Sequence, residues 1–269
     1  MSSALITTLN LNGIRAAHRR GLMEWLALAN PDVLLLQEVR APEEVTEALL
    51  GPEWNVHTHP CAIKGRAGVA VALRRDGQFQ AEGEPRVGLS PDEPDYDTGR
   101  WVELDLVGPT DLTVVSAYFH SGSVGTPKQE QKMAHLPRIE GRLAQLLDQN
   151  ALVAGDFNVV RSELDIKNWK GNHNKSAGVL DEEIAFLNRW VDSGWSDVVR
   201  DLAGPNQGPY SWWSWRGKAF DNDAGWRIDY QYASRGLAQS AQRYEIFRAP
   251  SWDARFSDHA PVTVEYQFS

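Results

Sequence analysis

Short runs of apolar and β-branched residues alternate with amphipathic stretches along the whole chain, and no other feature constrains the fold as strongly. Because strand-like and helix-like periods interleave in this way, the pattern predicts a mixed α/β domain. The predicted strands are Ala4–Leu9, Val33–Gln37, Ala67–Leu73, Trp101–Val107, Leu112–Tyr118, Ala151–Ala154, Ile228–Ala233 and Val262–Tyr266. The predicted helices are Gly21–Ala29, Glu43–Leu50, Glu130–Asp148 and Asp181–Val191.

Three long stretches, Gly83–Gly99, Ser121–Lys128 and Gly204–Gly225, are poor in regular pattern. Loops of this length in a compact domain are usually functional or disordered. The third contains the aromatic run from Tyr210 to Trp215, and its composition predicts that it packs over a surface. With 269 residues, 42% of them hydrophobic, and no internal repeat, the chain is expected to form one domain over residues 1–269.

The chain start and the cysteine count predict a reducing, cytoplasmic environment. Met1 leads almost directly into an apolar stretch, without the basic segment or cleavage site of a signal peptide. No apolar run approaches the roughly 20 residues that span a bilayer. Cys61 is the single cysteine, so an internal disulfide is excluded. We expect a monomer without membrane contact.

The formal net charge of −9 counts against nucleic acid as a partner, because phosphate binding needs local positive potential. An acidic protein can still present one basic face, and the basic residues here are grouped. The groups are Arg15, Arg19 and Arg20; Lys64 and Arg66; Lys128 and Lys132; Lys167, Lys170 and Lys175; and Arg216 and Lys218. Each group taken alone also fits a solvated surface.

Polar side chains interrupt the apolar runs at the ends of predicted strands. Glu38, Asp156, Asp229 and Asp258 all stand in such positions, and acids beside buried strands are costly unless a cation neutralises them. Asp156 and Asn158 are two residues apart, so in extended chain they point the same way. Mg²⁺ prefers such oxygen ligands, whereas no Cys/His cluster supports structural zinc. Each motif alone also fits a turn, a helix cap or a surface imidazole.

The order and wording of these motifs resemble the exonuclease III family of apurinic/apyrimidinic endonucleases, within the endonuclease/exonuclease/phosphatase superfamily. The segments that carry the resemblance are Leu9–Ala16, Leu36–Glu38, Gly155–Asn158, Gly225–Tyr230 and Ser257–Pro261. The resemblance implies a four-layer α/β sandwich, in which two mixed, mostly antiparallel sheets pack face to face and are flanked by helices. The site would lie at one edge of the sandwich.

The resemblance also implies roles for individual residues. Glu38 would be the main ligand of Mg²⁺, for which Mn²⁺ is a possible substitute. Asp156 would orient and deprotonate the attacking water, His259 paired with Asp229 would contact the scissile phosphate, and Tyr118 would donate a hydrogen bond to it. The full set of implied metal-site residues is Asn10, Glu38, Asp156, Asn158, Asp258 and His259.

DNA contacts follow from the same resemblance. The implied backbone-gripping residues are Asn12, Gly13, Arg15 and Ala16, and the implied pocket for an extrahelical abasic sugar is Trp212, Trp226 and Ile228. Asn168 and Asn172 lie in a loop that would face the DNA. This sequence departs from the family's pattern at Leu9 and Arg40, where Trp and Lys are usual, at Gln231-Tyr232, where more apolar residues are usual, and at Ser176 in place of Asn.

The implied activity is hydrolysis 5′ to abasic sites in double-stranded DNA, with 3′-phosphodiesterase, 3′-phosphatase and 3′→5′ exonuclease activity. Three alternatives stay open at this point. One is a 3′-end processing exonuclease with little abasic-site incision, and another is a superfamily phosphatase acting on lipid or inositol phosphates. The third is a non-catalytic carbohydrate-binding module that stacks sugars on Trp212, Trp213 and Trp215.

Overall fold

The computed structural model describes residues 2–268 and contains two six-stranded sheets. The first sheet has the order β11-β12-β1-β2-β4-β3, and the second has the order β5-β6-β7-β8-β10-β9. The strands of the first are β1 (Ser2–Asn10), β2 (Val33–Gln37), β3 (Trp54–His59), β4 (Val69–Arg74), β11 (Ala241–Ile246) and β12 (Val262–Phe268). Those of the second are β5 (Gln80–Val87), β6 (Trp101–Val107), β7 (Leu112–Tyr118), β8 (Ala151–Asp156), β9 (Ser196–Asp197) and β10 (Asp229–Ala233).

The two sheets share one pattern of strand directions. In each, a central pair is parallel, β1 with β2 and β7 with β8. The other named pairs are antiparallel. The prediction of two mixed, mostly antiparallel sheets is therefore confirmed.

The main core lies between the sheets and follows the two-residue period of the strands. In β7, Leu112 and Val114 point into this core, whereas Val115 and Ala117 belong to the cluster on the outer face. In the same way, Leu35 of β2 faces the other sheet. A side chain that points inward at the end of a central strand therefore lies at the edge of the sandwich.

Helices cover both outer faces and complete the four layers. On the first sheet lie α1 (Ile14–Arg19), α2 (Leu22–Ala29) and α3 (Glu43–Leu50). On the second lie α4 (Pro127–Leu146) and α6 (Asp181–Ser193). The shorter helices are α5 (Trp169–Asn172), α7 (Val198–Ala203), α8 (Arg235–Ala238) and a 3₁₀ turn at Glu163–Asp165. Within residues 2–268, no helix has the length and apolar character needed to cross a membrane.

The predicted strands and helices are present with small shifts of their ends, but two predicted irregular stretches were partly wrong. β5 extends to Val87, inside the stretch taken as Gly83–Gly99, and α4 begins at Pro127, inside Ser121–Lys128. β5 is a largely exposed edge strand with the sequence Gln-Ala-Glu-Gly-Glu-Pro-Arg-Val, so it has no alternation of apolar and polar residues to detect. β3, β9 and β11 were also not predicted.

Buried polar side chains join the two sheets just below the edge where the central strands end. Gln37 of β2 donates to Ser116 Oγ of β7 at 2.9 Å. Gln231 of β10 donates to the carbonyl of Ile6 at 2.8 Å and accepts from the hydroxyl of Tyr266 at 2.9 Å. These bonds fix the position of one sheet relative to the other, and so the positions of side chains at the edge.

Candidate active site

Four predicted site residues lie where central strands of the two sheets begin or end. Asn10 ends β1, Tyr118 ends β7, Asp156 ends β8 and Asp229 begins β10. Strand register places Tyr118 opposite Asp156, and Asp156 opposite Asp229. The sandwich thus brings together residues from distant parts of the chain at one edge.

Asn10 joins two acids from different sheets. Its Nδ2 donates to Asp156 Oδ2 at 2.8 Å and to Glu38 Oε1 at 3.0 Å. Its Oδ1 accepts the backbone N–H of Asn12 at 2.9 Å, so the amide nitrogen is turned toward the acids. The other oxygen of Glu38 pairs with Arg40. Two carboxylates therefore meet at one amide group.

Asp156 is held in place by its own loop and by a close approach of two strands. Asn158 donates its backbone N–H to Asp156 Oδ1 at 2.9 Å and its Nδ2 to Oδ2 at 3.1 Å. Gly155 has φ +150°, and a Cβ there would lie 1.8 Å from the carbonyl oxygen of Ala117. Only glycine allows this approach of β8 to β7.

His259 forms a pair with Asp229 and faces Asp156. Its Nδ1 lies 2.9 and 3.0 Å from the two oxygens of Asp229, and its Nε2 lies 3.8 Å from Asp156 Oδ2. Ser211 donates to Asp229 Oδ2 at 2.6 Å and accepts the backbone N–H of Ile228 and of Asp229. Sequence reasoning missed Ser211, whose only signal was its place within the aromatic run.

Burial and the neighbouring charges shift the pKa values of these groups. Burial raises the pKa of Asp156, and the positive charge of His259 lowers it. The negative charges of Asp229 and Glu38 also raise it, and the resulting pKa is about 8. Burial lowers the pKa of His259, but the charges of Asp229 and Asp156 outweigh it and raise that pKa to about 10. A carboxyl group with the pKa of a general base thus lies beside an imidazolium.

Tyr118 lies beside the two acids joined by Asn10. Burial, and then the charges of Glu38 and Asp156, raise the pKa of its phenol well above the ordinary value. The guanidinium of Arg100 lies 5.0 Å from the centre of its ring. The phenol therefore keeps its proton and can donate a hydrogen bond.

Asp258 is linked to the same network through Asn12. Its Oδ1 accepts from Asn12 Nδ2 at 2.9 Å, and its Oδ2 accepts from the indole N–H of Trp212 at 3.1 Å. Asn12 in turn donates its backbone N–H to Asn10. Asp258 is thus tied both to the acids and to the tryptophans.

Two groups of acids could hold a cation. Within residues 2–268, the ligand atoms of Asp156, Asp229 and His259 lie within 4.8 Å of one another. In this group the Nδ1 of His259 is already hydrogen-bonded to Asp229, and its Nε2 faces Asp156. Glu38 and Asp156 form the second group, and both offer the carboxylate oxygens that a hard cation prefers.

The three predicted pocket residues lie together beside His259. The rings of Trp212 and Trp226 are 5.6 Å apart at 80°, and the ring of Trp212 is 6.4 Å from that of His259. Ile228 is buried directly before Asp229. An apolar surface therefore borders the acids on this side.

Gly13 and the first turn of α1, which contains Arg15 and Ala16, border the other side, so the expected loop is helical from Ile14 onward. Gly13 has φ +100° and donates its N–H to the carbonyl of Glu38 at 2.8 Å. Arg15 is exposed and free to meet a phosphate, its only side-chain bond in the described chain being a 3.5 Å contact with the carbonyl of Arg40.

Asn168 and Asn172 are not linked to the acids by hydrogen bonds. Asn168 caps α5 by accepting the N–H of Gly171 at 3.1 Å, and Asn172 donates to the carbonyl of Asn168 at 2.8 Å. Ser176 donates to Asn172 at 2.9 Å. The loop holds these amides to itself, on the side where Gly178 packs near Trp226.

A basic groove opens beside Glu38 and Tyr118. Its volume is about 290 Å³. Among its lining residues are the four basic side chains Arg40, Arg66, Arg100 and Lys128. The protein therefore has a local basic surface next to Glu38, so its net charge of −9 does not exclude nucleic acid as a partner.

Backbone strain is concentrated at this edge. Within residues 2–268, eight non-glycine residues have positive φ, and four of them, Asn12, Glu38, Arg40 and Asn158, belong to the site. Left-handed backbone costs free energy and persists where the surroundings impose it, which is typical of functional sites.

Comparison with known proteins agrees with this geometry. Residues 7–259 match the model of the Endonuclease/Exonuclease/phosphatase family. An exodeoxyribonuclease of Bacillus subtilis (strain 168) is 30% identical over 95% of this chain and 96% of its own length. DNA repair nuclease APEX1 of Danio rerio is 28% identical over 96% of this chain and 81% of its own.

A solved AP endonuclease structure from Archaeoglobus fulgidus superposes with a TM-score of 0.82 at 25% identity, covering 98% of this chain and 99% of that one. The family resemblance read from the motifs is confirmed. The chain therefore belongs to the endonuclease/exonuclease/phosphatase family, in its exonuclease III and AP endonuclease branch, and is a hydrolase of the exodeoxyribonuclease III type.

Proposed function

We propose that this protein is a Mg²⁺-dependent DNA repair phosphodiesterase that hydrolyses the backbone 5′ to abasic sites. It would also have 3′-phosphodiesterase, 3′-phosphatase and 3′→5′ exonuclease activity, and would act as a cytoplasmic monomer. The observation that carries the proposal is the meeting of Glu38 and Asp156 at Asn10, with the His259 and Asp229 pair on the far side of Asp156.

The side chains divide the work of an in-line displacement. Asp156 orients the water and accepts its proton, and the hydrogen bonds from Asn10 and Asn158 hold its carboxylate in position for this task. Asn158 helps to hold the water or the phosphate. The imidazolium of His259, kept in orientation by Asp229, stabilises the negative charge that grows on the phosphate, and Tyr118 donates to a phosphate oxygen.

Glu38 and Asp156 would hold the metal ion, with Asp258 nearby. Asn10 would position the two acids through its amide nitrogen. When bound, Mg²⁺, or Mn²⁺ in its place, supplies Lewis-acid stabilisation of charge on the departing oxygen.

Double-stranded DNA with abasic or 3′-blocked sites is the proposed substrate. The basic groove and exposed Arg15 lie beside the acids and suit backbone phosphates. Trp212, Trp226 and Ile228 suit a flipped sugar that carries no base. An AP endonuclease and a DNA repair nuclease among the similar proteins support this substrate.

The positions of the tryptophans do not support the carbohydrate-binding alternative. Trp213 is 2% exposed and so cannot stack on a sugar. The indole N–H of Trp212 is committed to Asp258 within the site. Of the three tryptophans proposed to stack on sugars, only Trp215 remains. Its ring contacts that of Trp252 and not those of Trp212 and Trp213.

The proposal is tested by incubating the pure protein and Mg²⁺ with two duplexes. One contains a tetrahydrofuran abasic analogue, and the other a nick with a 3′-phosphate. We expect cleavage 5′ to the analogue and release of the phosphate, both abolished by EDTA. Cleavage of the nick alone would favour the 3′-end processing enzyme, and stronger hydrolysis of a phosphoinositide than of either duplex would refute the proposal.

Thermal stabilisation by Mg²⁺ should increase with pH. In the folded protein Asp156 keeps a proton up to a pKa of about 8, whereas its ordinary value is 3.8. The folded state binds the extra proton between these values, so the free energy of unfolding of the metal-free protein falls as pH rises through this range. A divalent ion takes the place of that proton.

Scanning fluorimetry at about pH 6 and about pH 8 measures this effect. We expect the rise in Tm caused by Mg²⁺ to be several degrees larger at the higher pH. The Asp156→Asn variant should show no such difference. An equal rise at both pH values in the unmodified protein would show that Asp156 is not at the metal site.

A further inference from the structure

A second aromatic and basic cluster lies outside the site. We call it the tryptophan platform, and it consists of Trp215, Trp252, Arg20 and Arg255. The rings of Trp215 and Trp252 are 5.5 Å apart and nearly perpendicular, at 86°. The guanidinium of Arg255 lies 4.1 Å from the centre of Trp215 and 5.7 Å from that of Trp252, and that of Arg20 lies 5.1 Å from Trp215.

Arg255 is the fixed centre of the platform. It is 4% exposed and donates to the carbonyl of Trp213 at 2.9 Å and to that of Trp252 at 3.3 Å. Its Nη2 has no hydrogen-bond partner within the described chain. The guanidinium also lies 4.5 Å from the ring centre of Phe220, and Asp258 and Asp221 are among the charges nearest to it. Arg255 therefore fixes the positions of both indole rings through ring contacts and backbone hydrogen bonds.

Trp252 leaves much of its ring in solvent. It is 43% exposed, although its loop is fixed to Arg255. A rigid indole that is not buried gains little from its position in the folded protein alone. Such a ring is already ordered and can stack on a planar partner at small entropic cost.

The platform is attached to the flank of the candidate active site. Arg255 precedes Asp258 by three residues, and the backbone N–H of Trp213 donates to the carbonyl of Asp258 at 3.1 Å. Arg20 directly follows α1, which contains Arg15. A DNA strand lying along α1 from Arg15 would therefore pass Arg20 and the platform.

We propose that the tryptophan platform binds an unpaired nucleotide of the DNA strand next to the cleavage position, with its base stacked on Trp252 and its backbone near Arg20. The proposal rests on the proposed function, since it takes DNA as the substrate. Bases in a duplex already stack on each other, so only a frayed or single-stranded nucleotide can offer a free face. Acidic Asp253 next to Trp252 favours a base over a phosphate at the ring itself.

The test compares DNA binding by the Trp252→Ala variant and the unmodified protein. Two duplexes carry the same tetrahydrofuran site near one end, and one of them ends in a single-stranded tail of about four thymidines. Fluorescence anisotropy in EDTA gives each dissociation constant without cleavage. We expect Trp252→Ala to weaken binding of the tailed duplex roughly 10-fold and of the blunt duplex less than about 2-fold.

Two controls accompany this variant. Trp252→Phe keeps a stacking ring and should retain most of the affinity for the tail. Leu28→Ala removes another apolar side chain, which is 84% exposed and lies near the C-terminal end of α2, away from the acids of the site. This variant should change neither dissociation constant.

Equal weakening of both duplexes, or none of either, by Trp252→Ala would overturn the platform while leaving abasic-site cleavage by the unmodified protein in place. Failure of the unmodified protein to bind or cut either duplex would overturn the proposed function as well. Quenching of tryptophan fluorescence by an oligosaccharide but not by oligothymidine would also refute the platform's assignment to DNA.

Discussion

Replacing Asp156 with asparagine is expected to lower the turnover of the abasic duplex by at least about 10³-fold and to leave the fold intact. The carboxylate that accepts the proton of water is lost, whereas the shape of the side chain is kept. Steady-state cleavage of the tetrahydrofuran duplex measures the loss in kcat. His259→Asn should cause a loss of similar size, since it removes the cation that faces Asp156.

The metal-free Asp156→Asn variant should be at least as stable as the unmodified protein near pH 8. Burial and the charges of Asp229 and Glu38 disfavour the ionised form of Asp156, and the amide removes that charge. The asparagine Oδ1 can still accept the N–H of Asn158, whereas its Nδ2 cannot accept from the side-chain amides of Asn10 and Asn158 as the Oδ2 of Asp156 does, and this loss offsets part of the gain. A gain or retention of Tm together with lost turnover separates a catalytic role from a structural one.

The matched control is Asp192→Asn, which changes an exposed acid near the end of α6. It should leave both kcat and Tm unchanged. Turnover by Asp156→Asn within about 10-fold of the unmodified protein would remove Asp156 from the role of general base.

The convergence of the site could be predicted from the sequence because its residues interrupt apolar strands at their ends. Asp156 follows three apolar residues of β8, and Glu38 directly follows β2. Since inward positions of central strands meet at one edge, such interruptions mark where polar groups gather. At these positions the local sequence pattern therefore predicts where the folded chain places its polar side chains.

The supports of the site could not be predicted, because they depend on contacts between distant segments. Ser211 is one small residue in an aromatic run, and only the fold brings it to Asp229. Gln231 was noted as a departure from more apolar residues, and the structure shows that it joins the two sheets. No periodicity marks a residue whose partner is far away in the chain.

Arg227 is a third unpredicted support, and it is a buried charge. Its guanidinium donates to Asp165 at 2.7 Å and to the two oxygens of Asp197 at 2.8 and 2.7 Å. All three side chains are almost completely inaccessible to solvent. Because Arg227 lies two residues before Asp229, this network fixes the start of β10 and so the partner of His259.

Arg227→Met is expected to lower the free energy of unfolding by about 3 kcal/mol, because two buried carboxylates lose the cation that they share and keep only one arginine each, Arg200 for Asp165 and Arg161 for Asp197. Thermal unfolding measures this as a fall in Tm of roughly 10 °C. Adding Asp197→Asn to the same variant should recover part of the loss, since a buried carboxylate that has lost its main cation is then removed and its other partner, Arg161, is partly exposed to solvent. Such recovery distinguishes charge burial from simple loss of packing.

The matched control for this prediction is Arg189→Met, which breaks a surface ion pair with Glu140. Both partners are substantially exposed, so the expected loss is below about 1 kcal/mol. If Arg227→Met were no more destabilising than Arg189→Met, the buried network would contribute little to folding, and the position of Asp229 would have to be set by Ser211 and strand pairing alone. A large difference, with weaker cleavage at temperatures where the variant is still folded, would show that the same arginine stabilises the fold and orients the site.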